Sequence, residues 1–491
     1  MPRRTAPPPV LVWFRQDLRL ADNPALAAAG DRPVLPVYVL DEAAAGRWAP
    51  GGAARWWLHH SLAALAAALQ AKGAGLHLAR GRAEAVLPSL ARAVGADEVH
   101  ANRLCEPWAR AQERRVAAAL AEAGARLRLH GSPLLHDPAD LRAGSGRPYE
   151  AFTPFARALR SRLEHLAPPL PAPGRLVPVP GAPEGETVAG WRLAPGAPDW
   201  AAEFATLWRP GEAGAEARLA RFLAADRLRA YAAARDRPGE ADGTSGLSPH
   251  LHWGEISPRR VWHAVRDAAA SGDRAGSAEP FLRELLWREF CHHLLWHRPE
   301  MPERALRPAF DGFPWAPDAR LLRAWQRGRT GFPIVDAGMR QLWRLGWMHN
   351  RVRMIAGSVL VKHLLQPWQD GAAWFWDTLV DADLASNSAN WQWVAGSGTD
   401  AAPWFRIFHP VLQGERFDPE GRYVRRFVPE LARLPDRWLH RPWQAPEPVL
   451  RAAGVVLGRD YPRPLADPAE GRARALAAFA AMRRRAGAAP A

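Results

Sequence analysis

Short apolar runs alternate with longer stretches rich in Ala and Leu over the first 131 residues of the chain. The runs have the length of β-strands, whereas the stretches at 54–72 and 108–123 have the period of amphipathic helices. Such alternation predicts βαβ units and a parallel sheet covered by helices. The predicted strands are VLVWF (10–14), VLPVYVL (34–40), LHLAR (76–80), EVHANR (98–103) and RLRLHG (126–131).

The pattern changes further along the chain. Residues 165–212 are rich in Pro and Gly, which is typical of a surface connection. From about 213 to 485 the apolar positions follow a helical period and strand signals are few. We therefore predict an N-terminal α/β parallel-sheet domain at 8–135, an interdomain linker at 136–212 and an all-α domain at 213–485.

Composition narrows the class of protein. A chain of 491 residues with 48% hydrophobic residues has room for two or three domains, and no signal peptide or membrane span is predicted. Cys105 and Cys291 are the only cysteines, which excludes a disulfide framework and suits a reducing cytosol. The net charge of +15 favours a polyanionic partner, although nearly all of it is Arg, as codon bias also produces.

Tryptophan is the stronger compositional signal. The chain has 24 Trp against 5 Tyr, and 14 of the Trp lie between positions 253 and 404. Indole side chains favour interfaces and the walls of ligand sites. A bias confined to one region is not explained by genome composition.

The segment DADLASNSANWQW (381–393) places polar groups where a buried helix usually has Leu or Val. Asp383, Asn387 and Trp391 are spaced i, i+4 and i+8, so a helix would present them on one face. Buried polar groups need partners. Two interpretations remain open: a face for a large polar, aromatic ligand, or a structural helix whose Asp pairs with an Arg.

Two further segments carry candidate chemistry. In YAAARDRPGEADGTSGLSPHLHWG (231–254), hydroxyl side chains cluster around Gly246 in a turn that can cradle a phosphate. On spacing alone, a helix N-cap ahead of Pro249 is the favoured explanation. In LRELLWREFCHH (282–293), Glu284 and Trp287 share a helical face with Arg288 and Cys291. The simpler explanation there is a surface Glu–Arg pair over a buried Trp.

The last two segments are GWMHNRVRM (346–354) and the loop at 398–421. Asn350 and Met354 are one helical turn apart, whereas His349 and His363 lack the neighbouring ligands of a metal site, and we predict none. The loop mixes Arg with Phe and Trp, a combination that suits contact with nucleic acid.

Taken in order, these motifs resemble the photolyase/cryptochrome flavoproteins over residues 10 to about 464. Within that family the chain is similar to the cyclobutane pyrimidine dimer photolyases. RWWLHHSLAAL (55–65) together with VDADLASNSANWQWVAGSG looks closest to the bacterial class III branch. The motifs are WFRQDLRLADNPAL, TSGLSPHLHWGEISP, ELLWREF, RTGFPIVDAGMRQLWRLGWMHNRVRMI, DADLASNSANWQW and DAAPWFRIFHP.

The resemblance implies an α/β antenna-type domain joined to a helical FAD- and DNA-binding domain. It implies a deoxyribodipyrimidine photo-lyase, a carbon–carbon lyase that repairs cyclobutane pyrimidine dimers in DNA by light-driven electron transfer from excited FADH⁻. The alternative is a cryptochrome-type blue-light photoreceptor without repair activity; a flavin-free nucleic-acid-binding module would leave the 381–393 face unexplained. The resemblance further implies a cytoplasmic, nucleoid-associated bacterial monomer.

The resemblance also assigns residues to four sets. Asn387 is expected opposite flavin N5, and Glu284 is expected to bind the pyrimidine carbonyls. Arg353 is expected to pair with Asp381. The FAD-binding set is Tyr231, Thr244, Ser245, Gly246, Leu247, Ser248, Arg353, Asp381, Ala382, Asp383 and Asn387. The catalytic set is Glu284, Trp287, Asn350, Met354, Asn387 and Trp393, of which all but Asn387 match the lesion pocket. The DNA-binding set is Arg235, Glu284, Trp287, Arg288, Cys291, Asn350 and Gln413, and the electron-transfer set is Trp391, Trp368 and Trp315.

Three positions bear on the choice among relatives. Asn350 and Met354 stand where (6-4) photolyases and animal cryptochromes typically carry His, which favours the cyclobutane dimer. His409 replaces the Asn of many relatives. Residues 104–107, LCEP, lack the Asn-Glu pair of the familiar folate-binding subgroup. We expect methenyltetrahydrofolate at the class III site as a second antenna chromophore, with 8-hydroxy-5-deazaflavin as the alternative.

Overall fold

The computed structural model describes residues 7–131, 133–270, 275–400 and 405–488. Residues 401–404 of the aromatic loop therefore lie outside the described residues. Contacts divide the chain into two compact units, Met1–Leu228 with Ser245–Pro299 and Arg229–Thr244 with Glu300–Ala491. The domain limits predicted at 135 and 213 stay predictions. Within the described residues, no helix combines the length and apolarity that crossing a membrane requires.

The strands of the first unit are β1 Val10–Phe14, β2 Pro33–Leu40, β3 His77–Arg80, β4 Glu98–Asn102, β5 Arg126–His130 and β6 Val177–Pro178. Its first eight helices are α1 Pro24–Ala28, α2 Glu42–Ala45, α3 Gly52–Ala71, α4 Ala83–Val94, α5 Pro107–Glu122, α6 Phe152–Leu163, α7 Phe204–Leu207 and α8 Glu212–Leu223. Helix α9, Ala225–Ala234, spans the division between the units. The first unit then continues with α10 Ser248–His252, α11 Pro258–Ala270 and α12 Ala275–His297. Single 3-10 turns lie at Gly46–Trp48 and Ala189–Trp191.

The helices of the second unit are α13 Ala319–Gln326, α14 Pro333–Leu345, α15 Asn350–Ser358, α16 Trp368–Thr378, α17 Leu384–Ala395, α18 Pro410–Phe417, α19 Arg422–Phe427, α20 Asp436–Leu439, α21 Glu447–Ala453 and α22 Pro468–Ala488. A π-helical turn, Val359–His363, continues α15. Single 3-10 turns lie at Pro308–Gly312, Pro429–Leu431 and Pro442–Gln444.

The sheet is parallel throughout, in the order β3-β2-β1-β4-β5, and β6 adds to the start of β2. Every residue of β1 is buried because helices cover both faces of the sheet, as an uninterrupted apolar strand predicts. On one face, Leu11 and Trp13 pack with Leu87 of α4 and Val116 of α5. The predicted α/β domain and the helical remainder are confirmed, with strand limits within one residue of those expected.

A buried carboxylate orders the second unit around α14. Asp336 is fully buried and accepts hydrogen bonds from the amide and the hydroxyl of Thr330, at 2.6 and 2.7 Å, and from the Tyr461 hydroxyl at 2.6 Å. Burial raises the pKa of Asp336, and the hydrogen bonds oppose that rise. These contacts fix the start of α14, which packs against α15 and so positions the GWMHNRVRM segment.

Candidate functional site

Helix α17 begins and ends where its sequence provides caps. The Asp383 carboxylate accepts a hydrogen bond from the Ser386 amide at 2.7 Å and occupies the N-cap position. Gly396 ends the helix in the left-handed region, with φ +90°. Asp383 therefore stands just before the helix, and Asn387 and Trp391 follow on it one turn apart.

The buried carboxylate of Asp381 has a cationic partner. Nη2 of Arg353 lies 2.9 and 3.1 Å from the two carboxylate oxygens, and its Nε donates to the Met348 carbonyl at 2.7 Å. The Asp381 side chain is 3% exposed, so this pairing compensates the cost of burying its charge. The ion pair that the resemblance implied is present and joins α15 to the entry of α17.

The Asn387 side chain retains an acceptor. Its amide nitrogen donates to the Ala372 carbonyl of α16 at 3.0 Å, which orients the group. Its carbonyl oxygen accepts no hydrogen bond from the described residues, and the side chain is half-buried. An oriented carbonyl of this kind fits a ring N–H such as that of a reduced flavin.

Trp391 is enclosed by the neighbouring helices. Its ring packs edge-on against Phe375 and Trp325, with centroids 5.0 and 6.1 Å away, and only 4% of the residue is exposed. Gly371 of α16 leaves the space for it, because a Cβ there would lie 2.2 Å from the indole Cη2. Trp391 thus contacts α16 one turn beyond Trp368.

The other two tryptophans of the electron-transfer set lie on connected segments of the same unit. Trp368 opens α16 and is 2% exposed, whereas Trp315 is half-buried. The residue after Trp315, Ala316, donates its amide to the Leu365 carbonyl at 2.8 Å and accepts from Gln366 at 2.8 Å. The set therefore runs from two enclosed rings to one that reaches solvent.

The α15 face carries the predicted pocket residues Asn350 and Met354, the first exposed and the second half-buried. Buried His349 is the N-cap, and its Nδ1 accepts a hydrogen bond from the Arg351 amide at 3.2 Å. Burial lowers the pKa of His349 to about 4, so the ring is neutral and can serve as this acceptor. The Arg351 side chain pairs with Asp236 at 2.8 Å.

Helix α12 of the first unit carries two further residues predicted to bind the lesion, whereas half-buried Trp393 is on α17. Glu284 and Trp287 are both half-buried, and Trp287 stacks on Phe152 at 3.6 Å between centroids. Arg288 donates to the carbonyls of Pro133 at 3.0 Å and of Leu251 at 3.3 Å. Cys291 is only 5% exposed.

The hydroxyl-rich turn is shaped by two glycines in the left-handed region. Gly246 has φ +64°, and the Ser245 hydroxyl accepts from the Leu247 amide at 3.3 Å. Leu247 occupies the N-cap of α10 without a side-chain bond, so the simple capping explanation of these hydroxyls is wrong. Gly254, also at φ +64°, admits no side chain, since a Cβ would lie 2.1 Å from the Gln16 carbonyl oxygen.

A buried glutamate that the sequence did not single out holds this turn in place. Glu255 is fully buried and accepts from Trp57 Nε1 at 3.0 Å and from the Gly211 amide at 2.7 Å, while its second oxygen pairs with His250. These contacts tie the turn to α3 and to the start of α8. Two of the remaining FAD-set residues, Tyr231 and Thr244, belong to the second unit.

Gln392 is a second residue that the sequence did not single out. Its fully buried amide donates to the carbonyls of Met301 and Arg304, both at 2.8 Å, and accepts from the Leu306 amide at 2.7 Å. It thereby fastens the 301–306 segment to α17. The sequence offered one indication of this role, because Gln392 is a polar residue between Trp391 and Trp393 on a helix with few charges.

The departures from family pattern also have structural positions. His409 is the N-cap of α18, where its Nδ1 accepts from the Leu412 amide at 3.4 Å, a role that Asn commonly fills. Half-buried Gln413 follows one turn later. Cys105 and Glu106 of the LCEP segment are both buried. Among the residues that the structure describes, no group of three His, Cys, Asp or Glu side chains could hold a metal ion.

Comparison with known proteins agrees with this architecture. Residues 10–174 match the family model described as DNA photolyase, and residues 281–481 match the model described as FAD binding domain of DNA photolyase. The deoxyribodipyrimidine photo-lyase of Agrobacterium fabrum is 50% identical over 97% of this chain and 98% of its own length. Cryptochrome-1 of Arabidopsis thaliana is 38% identical over 96% of this chain and 70% of its own.

A solved structure extends the likeness to three dimensions. The crystal structure of a bacterial class III photolyase from Agrobacterium tumefaciens has a TM-score of 0.94 and 48% identity, covering 99% of this chain and 100% of its own. Identity of this level over whole chains carries both the fold and the order of the motifs. The chain belongs to the photolyase/cryptochrome family, in its bacterial class III branch.

Proposed function

We propose that this protein repairs cyclobutane pyrimidine dimers in DNA as a light-driven deoxyribodipyrimidine photo-lyase. The observation that carries the proposal is the 50% identity with a photolyase over 97% of the chain. The motif residues of the second unit support it, since a paired Asp381, an oriented Asn387 and an enclosed Trp391 lie at successive positions around α17.

FAD is the cofactor that the matched domain of residues 281–481 implies. When bound, it supplies the light-absorbing group that donates an electron to the lesion. Arg353 and Asp381 would hold its ribose and flavin end, and the Asn387 carbonyl would accept a hydrogen bond from N5. Tyr231 and the turn at 244–248 would bind its phosphates through hydroxyls and backbone N–H groups.

We assign binding of the lesion to the residues that match the family's lesion pocket. Glu284 would hydrogen-bond the pyrimidine carbonyls and stabilise charge that develops on them. Trp287 and Trp393 would provide apolar walls. Asn350 and Met354, where (6-4) photolyases carry His, favour the cyclobutane dimer. Photolyases are a known example of enzymes that extrude their target from the duplex.

Trp391, Trp368 and Trp315 would return electrons to the site from solvent. Each is an easily oxidised ring, and the last is half-buried where the first two are enclosed. We further infer that Arg235, Arg288 and Gln413 contribute to DNA binding, that the protein acts as a monomer, and that a folate-type antenna chromophore is bound.

A blue-light photoreceptor is the alternative function, because plant cryptochromes are also similar over most of the chain. Repair activity on DNA distinguishes the photolyase from the photoreceptor. Purified protein would be incubated with dimer-containing single- and double-stranded oligonucleotides, with and without blue light. Light-dependent loss of dimers is expected, whereas a flavin-containing protein that responds to light and leaves dimers intact would identify a photoreceptor.

Glu284→Ala tests the pocket within the same assay. We expect repair to slow about tenfold or more while FAD stays bound, because a charge-stabilising partner is lost. Glu279→Ala is the matched control, since Glu279 lies on the same helix with 54% of its side chain exposed. Release of FAD by the Glu284 variant would show that Glu284 supports the cofactor and not the lesion.

A further inference from the structure

One of the two lysines of the chain is buried without a counter-ion. Lys362 lies in the π-helical turn after α15 and is 1% exposed. Its ammonium donates to the Ala395 carbonyl at 2.7 Å and lies 3.0 Å from the centroid of the Phe405 ring. No carboxylate among the described residues pairs with it. Burial alone holds the pKa of Lys362 well below its usual range.

Both partners of this ammonium favour a positive charge. Ala395 is the last residue of α17, where the helix dipole presents its negative end. The Phe405 ring offers its electron-rich face. A Met or Leu would fill the same apolar space without the cost of burying a charge. π-Helical turns often occur at functional positions, and this one brings a cation into an otherwise aromatic cluster.

That aromatic cluster includes the outermost tryptophan of the electron-transfer set. The centroid of the Phe405 ring lies 6.0 Å from that of Phe313, and the Phe313 centroid lies 4.4 Å from that of Trp315. Phe310 and Phe479 complete the cluster. Two rings therefore separate the ammonium from Trp315, and charges in such apolar surroundings are screened much less than charges in water.

We propose that the Lys362 ammonium controls the charge carried by Trp315, favouring loss of the indole proton once this ring has been oxidised. The proposal rests on the repair function above. Trp315 gives one electron to oxidised Trp368 and becomes a radical cation. Its indole N–H proton then passes to water, and the neutral radical later takes one electron and one proton from a small thiol reductant.

The ammonium repels the radical cation of Trp315 and leaves the neutral radical unaffected. It therefore favours loss of the indole proton and shortens the life of the cation. Once the proton has left, the neutral radical draws an electron back from Trp368 less strongly than the cation does. Lys362 acts on Trp315 through its electric field. It is proposed to touch neither substrate nor cofactor, so its role is indirect.

The residue after Lys362, His363, is itself titratable. Its Nε2 donates a hydrogen bond to the Phe408 carbonyl at 3.0 Å, and its pKa is affected by His409, Asp467 and Arg474. The groups found around the ammonium itself, Ala395 O and the Phe405 ring, do not titrate. A pH effect that disappears with Lys362 can thus be distinguished from one that belongs to His363.

The first measurement is direct. Because the chain has only Lys72 and Lys362, ¹³C-labelled lysine yields two ε-carbon NMR signals, and Lys72→Met assigns them. We expect the Lys362 signal to titrate at a lower pH than is usual for lysine. A Lys362 signal that is neutral across the pH range in which the enzyme reduces its flavin would overturn the proposal.

The second measurement is transient absorption of the tryptophan radical after a light pulse in the flavin-loaded protein. In Lys362→Met we expect the radical cation to persist about fivefold to tenfold longer, from the loss of one charge two rings away. Lys72→Met should behave like the unsubstituted protein. As pH rises, the unsubstituted protein should approach the Lys362→Met lifetime, which stays constant.

The outcomes separate the two proposals. If Trp315→Phe leaves the radical yield intact, Trp315 is not the terminal donor and both ideas about it fail. If Trp315→Phe abolishes the long-lived radical but Lys362→Met leaves its lifetime unchanged, only the role of Lys362 is refuted. Should Lys362→Met fold poorly, the pH series on the unsubstituted protein decides, because a lifetime constant through the Lys362 titration contradicts the proposal.

Discussion

Replacing Gly371 by Ala should displace the innermost tryptophan of the electron-transfer set. A Cβ at this position would lie 2.2 Å from Cη2 and 2.5 Å from Cζ3 of Trp391, and 2.7 Å from Cδ2 of Leu360. Carbon atoms in contact are ordinarily about 3.5–4.0 Å apart. To restore such a distance, the indole must move away from position 371 by roughly 1 Å or more. Phe375 and Trp325 pack edge-on against the same ring and restrict this movement.

The two energetic effects of this substitution have opposite signs. Ala is about 1 kcal/mol more favourable than Gly inside a helix. Overpacking of a well-filled core costs about 1–3 kcal/mol, and here the obstacle is a ring enclosed on several sides. We expect a net loss of about 1–2 kcal/mol in the free energy of unfolding, together with slower photoreduction of the flavin.

Denaturant unfolding and light-driven flavin reduction would be measured on the same preparations. Gly357→Ala is the matched control, because its Cβ would lie 3.3 Å from Val394 and 3.5 Å from Trp391 while helix propensity improves equally. A Gly371→Ala protein that is more stable than the unsubstituted one, with unchanged photoreduction, would refute the packing argument.

Three further substitutions test other contacts. Gln392→Leu removes three hydrogen bonds of a buried amide, to the Leu306 amide and to the Met301 and Arg304 carbonyls, so thermal melts should show the free energy of unfolding reduced by about 3 kcal/mol or more. Asp381→Asn leaves the Arg353 guanidinium unpaired, and flavin-release titrations should show FAD held about tenfold more weakly. Burial holds the pKa of His293 at about 3. The unfolded chain therefore takes up this proton first, and melting curves should show stability falling as pH drops from about 6.5 toward 3, with a shallower fall in His293→Gln.

Each of these has its own control. Asn390→Ala removes an exposed amide from the same helix as Gln392 and should leave the melting temperature nearly unchanged. For Asp381, equal FAD retention by the Asn variant would show that the ion pair does not shape the cofactor site. Glutamine at 293 can still accept from the Tyr149 amide, which donates to His293 Nε2 at 3.1 Å, so an undiminished acid sensitivity would exclude His293 as its source.

The site was predictable where function requires particular residue types at short spacing. Asp383, Asn387 and Trp391 could be grouped from the chain alone because a helical period brings them together. The pairing of Asp381 with Arg353 followed only from the family resemblance. Gln392 and Glu255 were missed because their partners lie about 86–91 and 44–198 positions away in the chain, a separation that local pattern does not report.

The sequence by itself determined the parallel sheet, the helical remainder and the family, because strand burial and helical period leave direct traces in the order of apolar residues. Tertiary structure alone decided which polar groups are satisfied and which charges remain exposed. Packing of α17 and Phe405 against VLVKHLL (359–365) buries the Lys362 ammonium. A charge acquires its energy from surroundings assembled by distant segments, and so its role becomes visible only in the folded protein.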